Sequence, residues 1–170
     1  MARPQFGDPH PSLIYRDRPA AFGVLERDGL VALVSVEKPG ASAWLDLPGG
    51  ALDPGEDAAA AMIREFGEET GLDVAAGEVL GEADQFFINT DGEAYNNRQT
   101  LFAARLLGEA PELKIEADHT LVWLQPIDAI SRLRHDSHAW ALTLRLRRRF
   151  QATPGAAISP ATGLRVDEAR

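Results

Sequence analysis

The chain has 170 residues, a length that fits one compact domain with a core of its own. Its 26 acidic residues against 17 basic ones give a formal net charge of −9, which argues against nonspecific binding to nucleic acid or to an anionic membrane. There are no cysteines, so disulfides, thiolate metal sites and cysteine nucleophiles are excluded. A protein of this composition needs help from a cation to hold a small anionic substrate.

The first third of the chain predicts an arm followed by a hairpin. Residues 1–12 are rich in proline and polar groups and predict an arm without secondary structure, ahead of a domain expected over residues 13–151. Two apolar runs between Ala20 and Glu37, joined by Arg-Asp-Gly, predict a β-hairpin, and residues 38–44 predict a loop. Neither a signal peptide nor an apolar run of about 18 residues is present, so we expect a soluble, cytoplasmic protein.

The remainder of the chain predicts further strands and two helices. Apolar runs predict strands at 73–89, 98–107 and 120–126, with a polar loop at 90–97 and helices at 57–70 and 136–150. Arginines near the end of the second helix suit the helix dipole, and this structural interpretation is preferred to a phosphate site. Residues 152–170 lack periodicity and predict a disordered tail. This order of elements predicts a mixed sheet packed between helices.

The first helix carries an unusual group of acids. At about 100° per residue, Glu65, Glu68 and Glu69 fall on one stripe beside an apolar one. Like charges four residues apart cost an isolated helix about 0.2–0.5 kcal/mol, and Arg64 offsets only part of this surplus. A solvated acidic face is the plain alternative, whereas Mg²⁺ is a hard cation that prefers carboxylate oxygens. The acids alone therefore leave both interpretations open, a solvated face and a magnesium site in which Mn²⁺ is a possible substitute.

A spacing pattern surrounds this cluster. Gly50 is followed after five residues by Glu56, after seven more by Arg64, and then by the run Glu-Phe-Gly-Glu-Glu-Thr-Gly-Leu ending at Leu72. The pattern, G-x5-E-x7-R-E-U-x-E-E-x-G-U with U a bulky apolar residue, resembles the Nudix hydrolase signature, with Phe66 where aliphatic residues are commoner. The resemblance implies an α/β fold, a Nudix-type α/β/α sandwich with a mixed central β-sheet.

The resemblance also implies an activity and a set of roles. The activity is hydrolysis of the pyrophosphate bond of a nucleoside diphosphate linked to another group. Glu65, Glu68 and Glu69 match the metal-binding acids, and Glu65 is a candidate general base, although that base sometimes lies in a later loop. Arg64 is expected to orient carboxylates, so the catalytic set is Glu65, Glu68 and Arg64.

Residues around the helix complete the implied site. Glu56 is expected to tie the loop to the helix, and Gly50 and Gly71 have structural roles, while Gly49 would offer its carbonyl to a metal. A further acidic ligand is expected from residues 116–119. Its candidates are Glu116, Asp118 and His119, and an ordinary surface loop is the alternative for each. Glu116 is preferred among the three.

The nucleoside is expected to be bound outside the signature. The candidate contacts, each with packing as its commoner alternative, are Arg18, Phe86, Phe87, Tyr95, Asn97 and Arg98. His10, His135 and His138 are interpreted as surface or packing residues. The first substrate hypothesis is an oxidised or noncanonical nucleoside triphosphate, followed by a nucleotide sugar. A noncatalytic nucleotide-sensing module is the rival class, and we expect a small nucleotide partner, no nucleic acid, no membrane and a homodimer as one option.

Overall fold

The fold is built on eight strands and three helices. The computed structural model describes residues 3–152. The strands are β1 (Gln5–Phe6), β2 (Arg16–Arg27), β3 (Leu30–Val36), β4 (Trp44–Asp46), β5 (Gly49–Ala51), β6 (Leu72–Ile88), β7 (Ala94–Glu109) and β8 (His119–Leu124). The helices are α1 (Ala58–Thr70), α2 (Pro126–Arg132) and α3 (Asp136–Ala152), and a 3₁₀ turn covers Pro111–Leu113.

The strands form a mixed sheet centred on β2. The main order is β1-β6-β7-β2-β3-β4, with β5 pairing to β2 and β8 pairing to β3. The β1/β6 and β2/β7 pairs are parallel, and the other pairs are antiparallel. Strand β2 pairs with β7, β5 and β3. Its residues therefore lie beside each of these three strands.

Two apolar cores lie on opposite faces of the sheet. Phe22 packs on one face in a cluster that includes Leu142 of α3, whereas its neighbour Ala21 packs on the other face against Met62 and Phe66 of α1. Successive strand residues point to opposite faces, so β2 supplies both cores at once. This layering of helix, sheet and helix confirms the predicted α/β/α sandwich with a mixed sheet.

Helix α1 ends at Thr70 as predicted and begins at Ala58, one residue after the predicted start, with both ends fixed by caps. The side chain of Asp57 accepts a hydrogen bond of 2.8 Å from the N–H of Ala60, satisfying a donor of the first turn. Gly71 ends the helix at φ 71°, and its N–H donates to the carbonyl of Gly67 at 2.8 Å. A left-handed residue at this position favours glycine, which explains the structural role expected of Gly71.

Short elements are where the structure departs from the sequence prediction. The stretch expected to be an arm contains β1, whose two residues pair with Asp84 and Gln85 of β6. Residues 38–44 were predicted as a loop, yet Trp44 begins β4. Strands of two or three residues are too short to show an alternating apolar pattern, and only their pairing partners define them.

Proline and polar residues conceal two further boundaries. Pro126, which ends the predicted strand, is also the first residue of α2, a helical position where its missing N–H costs nothing. The predicted polar loop at 90–97 is shorter, because β7 already begins at Ala94. Ala152 is the last residue of α3, and the remainder of the predicted tail, 153–170, lies outside the described residues.

The basic end of α3 is occupied by structural contacts. Arg145 and Arg149 each donate to Glu26 at 2.8 Å, joining the helix to β2. Arg148 donates to the carbonyls of Val79 and Leu80 at 3.0 and 2.7 Å. These contacts agree with the structural interpretation of this arginine run. Within residues 3–152, no helix is both long and apolar enough to cross a membrane.

Candidate active site

Arg64 is the hub of the signature helix. Its guanidinium makes a forked contact with Glu56, with Nε to Oε1 at 3.0 Å and Nη2 to Oε2 at 2.8 Å. The same group donates to Glu65 at 2.9 Å and to Glu68 at 3.3 Å. One planar cation therefore orients three carboxylates, a geometry that a lysine ammonium does not reproduce. The fork is the expected tie between the loop that carries Glu56 and the helix.

Glu69 lies deeper than the other acids of the helix. Its side chain is only 7% exposed, and its Oε2 accepts the N–H of Gly49 at 2.9 Å. Its other oxygen, Oε1, lies 3.4 Å from Nε2 of His119. Glu69 thus joins the end of α1 to β5 on one side and to the start of β8 on the other.

The loop before β8 is fastened to the helix end. The N–H groups of Ile115 and Glu116 both donate to the carbonyl of Glu68, at 3.0 and 3.1 Å. Glu116 Oε2 lies 2.8 Å from His119 Nδ1, and Lys114 caps nearby carbonyl groups. The loop expected to supply a further ligand is therefore held beside the acids of α1, even though it is separated from them by more than 40 residues.

Burial sets the electrostatics of the cluster. Burial raises the pKa of Glu69 well above its ordinary value of 4.5; the N–H of Gly49 opposes the change, while Glu65 and Glu116 add to it. Burial also raises the pKa of Glu65, against the effect of Arg64. Glu56 differs, because its hydrogen bonds from Arg64 and from the Asp53 backbone lower its pKa to about 2. The contacts of Glu65 and Glu69 thus do not offset their burial, whereas those of Glu56 do.

The donor set of the cluster fits a divalent cation. One carboxylate oxygen each from Glu65, Glu68 and Glu116 lie within 4.8 Å of one another, an all-oxygen set of the kind that Mg²⁺ prefers. A second set consists of Glu69, Glu116 and His119, which adds a nitrogen ligand and therefore also suits Mn²⁺. Glu116 belongs to both sets. Asp118 belongs to neither, and it is paired with Lys38 instead.

Two adjacent glycines bring β5 against the acids. Gly49 has φ 138°, and a Cβ there would lie 2.2 Å from the carbonyl oxygen of Ala21. A Cβ on Gly50 would lie 2.7 Å from the carboxylate carbon of Glu65. The backbone therefore passes between β2 and the acids of α1, and at Gly49 it does so at a distance and φ that favour glycine.

Gly49→Ala is expected to destabilise the protein. The positive φ and the contact with the Ala21 backbone lower the free energy of unfolding by about 3 kcal/mol. Thermal denaturation measures this loss. Gly108→Ala is the matched control, because a Cβ at Gly108 meets no atom within 4 Å, and its effect should stay within about 0.5 kcal/mol. Equal melting temperatures for the two variants would contradict the steric account.

A cleft extends from this cluster across the sheet. Gly49, Gly50, Glu69 and His119 line its end at the acids. Its other part, which we call the chamber, is lined by Arg18, Trp44, Asp46, Phe87, Asn89, Asn97, Arg134, His135 and His138. The chamber combines aromatic rings, amides and charged groups, whereas the end beside α1 is acidic.

The predicted nucleoside contacts divide between the chamber and the rest of the surface. Arg18, Phe87 and Asn97 line the cleft. Tyr95 stacks on Phe87 with 5.7 Å between ring centroids and is not among the lining residues. Phe86 lies outside the cleft in an edge-on contact with Tyr15, and Arg98 is engaged by Asp17 and Asp84. Strand alternation separates Phe86 from Phe87 and Arg98 from Asn97, whereas Tyr95 shares the face of Asn97 and lies behind Phe87.

Asp46 organises the inner wall of the chamber and was not singled out from the sequence. Its Oδ2 accepts from Arg134 at 2.6 Å and from the indole N–H of Trp44 at 3.0 Å. Although burial raises the pKa of Asp46, its contacts with His138, His135 and Arg134 lower it to about 2. Residues of β4 meet residues of the loop before α3 here. Because these two segments are far apart in the sequence, no local pattern predicts this wall.

His135 and His138 lie in this wall rather than on the surface. His138 is fully buried, packs on Phe22 and accepts the N–H of Leu47 at 3.3 Å, so the packing interpretation holds for this residue. His135 packs edge-on against Phe87 at 5.4 Å. His10 is exposed, as expected.

His135 is expected to make stability fall in acid. Burial lowers its pKa from 6.5 to about 3, with a further effect from His138 that Asp46 partly opposes. Between these values the unfolded chain binds a proton that the folded chain does not, so the contribution is present above pH 6.5 and is lost as pH falls. We expect about 3 kcal/mol less stability at pH 4 than at pH 7 from this group.

The test compares the pH dependence of stability in matched variants. In His135→Gln, urea unfolding should show a shallower decline between pH 7 and pH 4 than in the unmodified protein. His10→Gln, at an exposed position, should keep the original slope. If His135→Gln declines as steeply as the unmodified protein, another group causes the loss in acid.

The fold and the acidic cleft together define a hydrolase of the pyrophosphate bond that works with a divalent cation. A family model described as "NUDIX domain" matches residues 15–146 of the chain. The chain therefore belongs to the Nudix hydrolase family. The RNA pyrophosphohydrolase of Sphingopyxis alaskensis is 32% identical over 121 residues, which cover 65% of this chain and 75% of that protein.

Solved structures agree with this assignment. A NUDIX hydrolase from Nitrosomonas europaea is similar with a TM-score of 0.64 and 22% identity, over 78% of this chain and 90% of that one. An ADP-ribose pyrophosphatase from Streptococcus suis has a TM-score of 0.57 and 19% identity, over 81% of this chain and 94% of that one. At these identities the likeness shows the fold.

Proposed function

We propose that this Nudix hydrolase cleaves the pyrophosphate bond of a nucleoside triphosphate that carries an oxidised or otherwise noncanonical base, with Mg²⁺ as its metal. The observation that carries the proposal is the continuous cleft that joins the acidic cluster to the chamber. A phosphate chain beside the acids and a base in the chamber would use both parts at once. Arg18, Phe87 and Asn97 are the predicted substrate contacts that line it.

The residues of the cluster divide the work at the phosphates. Glu65, Glu68 and Glu116 would hold the cation, with Glu69 and His119 as a second group and Gly49 alongside. The bound cation supplies charge neutralisation of the diphosphate and a lowered pKa for an attacking water. Arg64 keeps Glu65 and Glu68 oriented through its contacts of 2.9 and 3.3 Å. Glu65, beside Gly50, is the candidate to accept the proton of that water.

Two other classes of substrate are candidates. The relative from Sphingopyxis alaskensis is named for action on RNA, which makes a triphosphorylated RNA end the second candidate. Both candidates present a nucleoside triphosphate to the cleft. A nucleotide sugar is the third candidate. The complete acidic cluster, in a chain that belongs to a family of hydrolases, argues against a noncatalytic sensing module.

A substrate panel tests the proposal. Oxidised, inosine and ordinary nucleoside triphosphates, nucleotide sugars, dinucleotides and a triphosphorylated RNA oligonucleotide are each incubated with the protein and Mg²⁺, and released phosphate or pyrophosphate is measured. The proposal expects the highest kcat/KM for a noncanonical triphosphate. A higher kcat/KM for the RNA end or for a nucleotide sugar would replace it. Cytoplasmic location and a homodimer stay predictions from the sequence.

A further inference from the structure

Two neighbouring side chains in the chamber each have a buried polar atom that forms no hydrogen bond within residues 3–152. Arg18 of β2 and Asn97 of β7 are direct partners in the parallel register, so their side chains project from the same face about 4.8 Å apart. Nε of Arg18 and Oδ1 of Asn97 are both buried without a hydrogen bond. Asn97 is only 2% exposed. Since buried polar groups are nearly always hydrogen-bonded in folded proteins, this pair is prepared for a ligand.

Arg18 stands apart from the other basic side chains. Among residues 3–152, it is the one lysine or arginine that is at least partly buried and has no acidic partner. Burial lowers the pKa of its guanidinium. A cation that is partly removed from water without an acidic partner destabilises a fold, so its retention in a cleft points to a binding role.

The guanidinium is also held in place. Its Cζ lies 5.6 Å from the ring centroid of Phe87 and 5.3 Å from that of Tyr95, and these two rings stack on each other. Cation–π contacts of this kind fix the orientation of a planar group. The five N–H donors of Arg18 are thus presented in a defined direction, which reduces the entropy lost when a ligand binds.

The surroundings of the pair favour a base over a phosphate. Asp46 is neutralised by Arg134, and the acceptor oxygen of Asn97, which disfavours an anion, lies beside Arg18. Trp44 and Phe87 line the chamber with flat apolar surface that suits stacking. The other two cations that line the cleft are already engaged, Lys38 by Asp118 and Arg134 by Asp46.

Resting on the proposed function, we propose that Arg18 and Asn97 recognise a 6-oxopurine, the base class of guanine and hypoxanthine. The edge of such a base offers N7 and O6 as adjacent acceptors, which match the donor fork of an arginine, and then N1–H as a donor. Asn97 Oδ1 accepts that N1–H. Along the same edge adenine presents N7 as an acceptor, its 6-amino group as a donor and N1 as an acceptor. Its amino group would therefore face the guanidinium donors whichever of the two acceptors lies beside it.

Equilibrium binding of nucleoside monophosphates tests this assignment without turnover. Inosine and adenosine monophosphates differ at the edge that the pair would contact, and titration calorimetry measures both. We expect inosine monophosphate to bind about tenfold more tightly, as a good bidentate contact to a base allows. Equal affinities would overturn the assignment. If the preference is found and no triphosphate is hydrolysed, the proposed function fails while the base assignment stands.

Variants locate the preference in the two side chains. Arg18→Lys keeps the charge but removes the fork, and Asn97→Leu keeps the volume but removes the acceptor; each should reduce the ratio of affinities to about twofold or less. Since the Asn97 side chain makes no hydrogen bond within the described chain, Asn97→Leu should not lower the melting temperature. Arg105→Lys, at an exposed and unpaired position outside the cleft, is the control and should keep the ratio. A ratio unchanged in both chamber variants would overturn the proposal.

Discussion

Glu68→Gln is expected to lower kcat for Mg²⁺-dependent hydrolysis by about 10²-fold or more with the fold intact. Glu68 offers one of the three carboxylate oxygens that lie within 4.8 Å of one another, together with Glu65 and Glu116. An amide of the same shape carries no charge, so the affinity of this set for a hard cation falls. Values of kcat and KM measured over a range of Mg²⁺ concentrations, with a substrate identified by the panel, give the effect.

Stability separates this catalytic role from a structural one. Glu68 is 27% exposed and shares Arg64 with Glu65 and Glu56, so neutralising Glu68 removes a like charge as well as a contact of 3.3 Å. The two effects oppose each other, and the melting temperature should move by no more than about 3 °C. Glu112→Gln, at an exposed position in the 3₁₀ turn, should leave both kcat and stability unchanged. Unaltered turnover in Glu68→Gln would remove this residue from the metal site.

The acidic part of the site was predictable because its signals are local. Glu56, Arg64 and the acids of α1 lie within 14 residues, and a helical period alone places Glu65, Glu68 and Glu69 on one stripe. Asp57 and Gly71 mark the helix ends with ordinary capping chemistry. Glu116 was predicted only from the family resemblance, and its place beside Glu68 depends on two backbone hydrogen bonds to the end of α1.

The chamber was only partly predictable because distant strand pairings assemble it. Arg18 and Asn97 become neighbours through the β2/β7 register, which no local pattern specifies. The choice between Phe86 and Phe87 depends on the parity of β6, a strand with irregular register between Ala76 and Gly81. One residue of slip exchanges the two faces, so the sequence could not decide which ring enters the cleft.

The same parity separates Asn97 from Arg98. Adjacent residues of β7 point to opposite faces, and Arg98 is fixed by Asp84 of β6 and Asp17 of β2 on the face away from the chamber. These contacts raise the pKa of Arg98, and the hydrogen bond that Arg98 donates to Asp17 is the main cause. Residues 94–97, which were predicted as part of a loop, therefore begin a strand whose two faces have different partners. Only the face with Asn97 borders the cleft.

Arg64→Ala is expected to lower the free energy of unfolding by about 3 kcal/mol and kcat/KM by about 10²-fold. The guanidinium contacts Glu56, Glu65, Glu68 and the carbonyl of Ala51, and its loss leaves the carboxylates without a cation. Hydrogen bonds to charged groups contribute about 1.5–3 kcal/mol each. The total loss stays near about 3 kcal/mol because water replaces several of the lost bonds. Urea unfolding and steady-state kinetics measure the two losses.

Arg64→Lys distinguishes charge from geometry at the same position. The ammonium keeps the positive charge but lacks the fork that holds Glu56 at 3.0 and 2.8 Å, so part of the stability should return while kcat/KM stays at least about tenfold low. Arg132→Ala, at an exposed and unpaired position on α2, should match the unmodified protein in both measurements. If lysine restores kcat/KM completely, charge alone is sufficient at this position, and the oriented carboxylates are not what Arg64 supplies to catalysis.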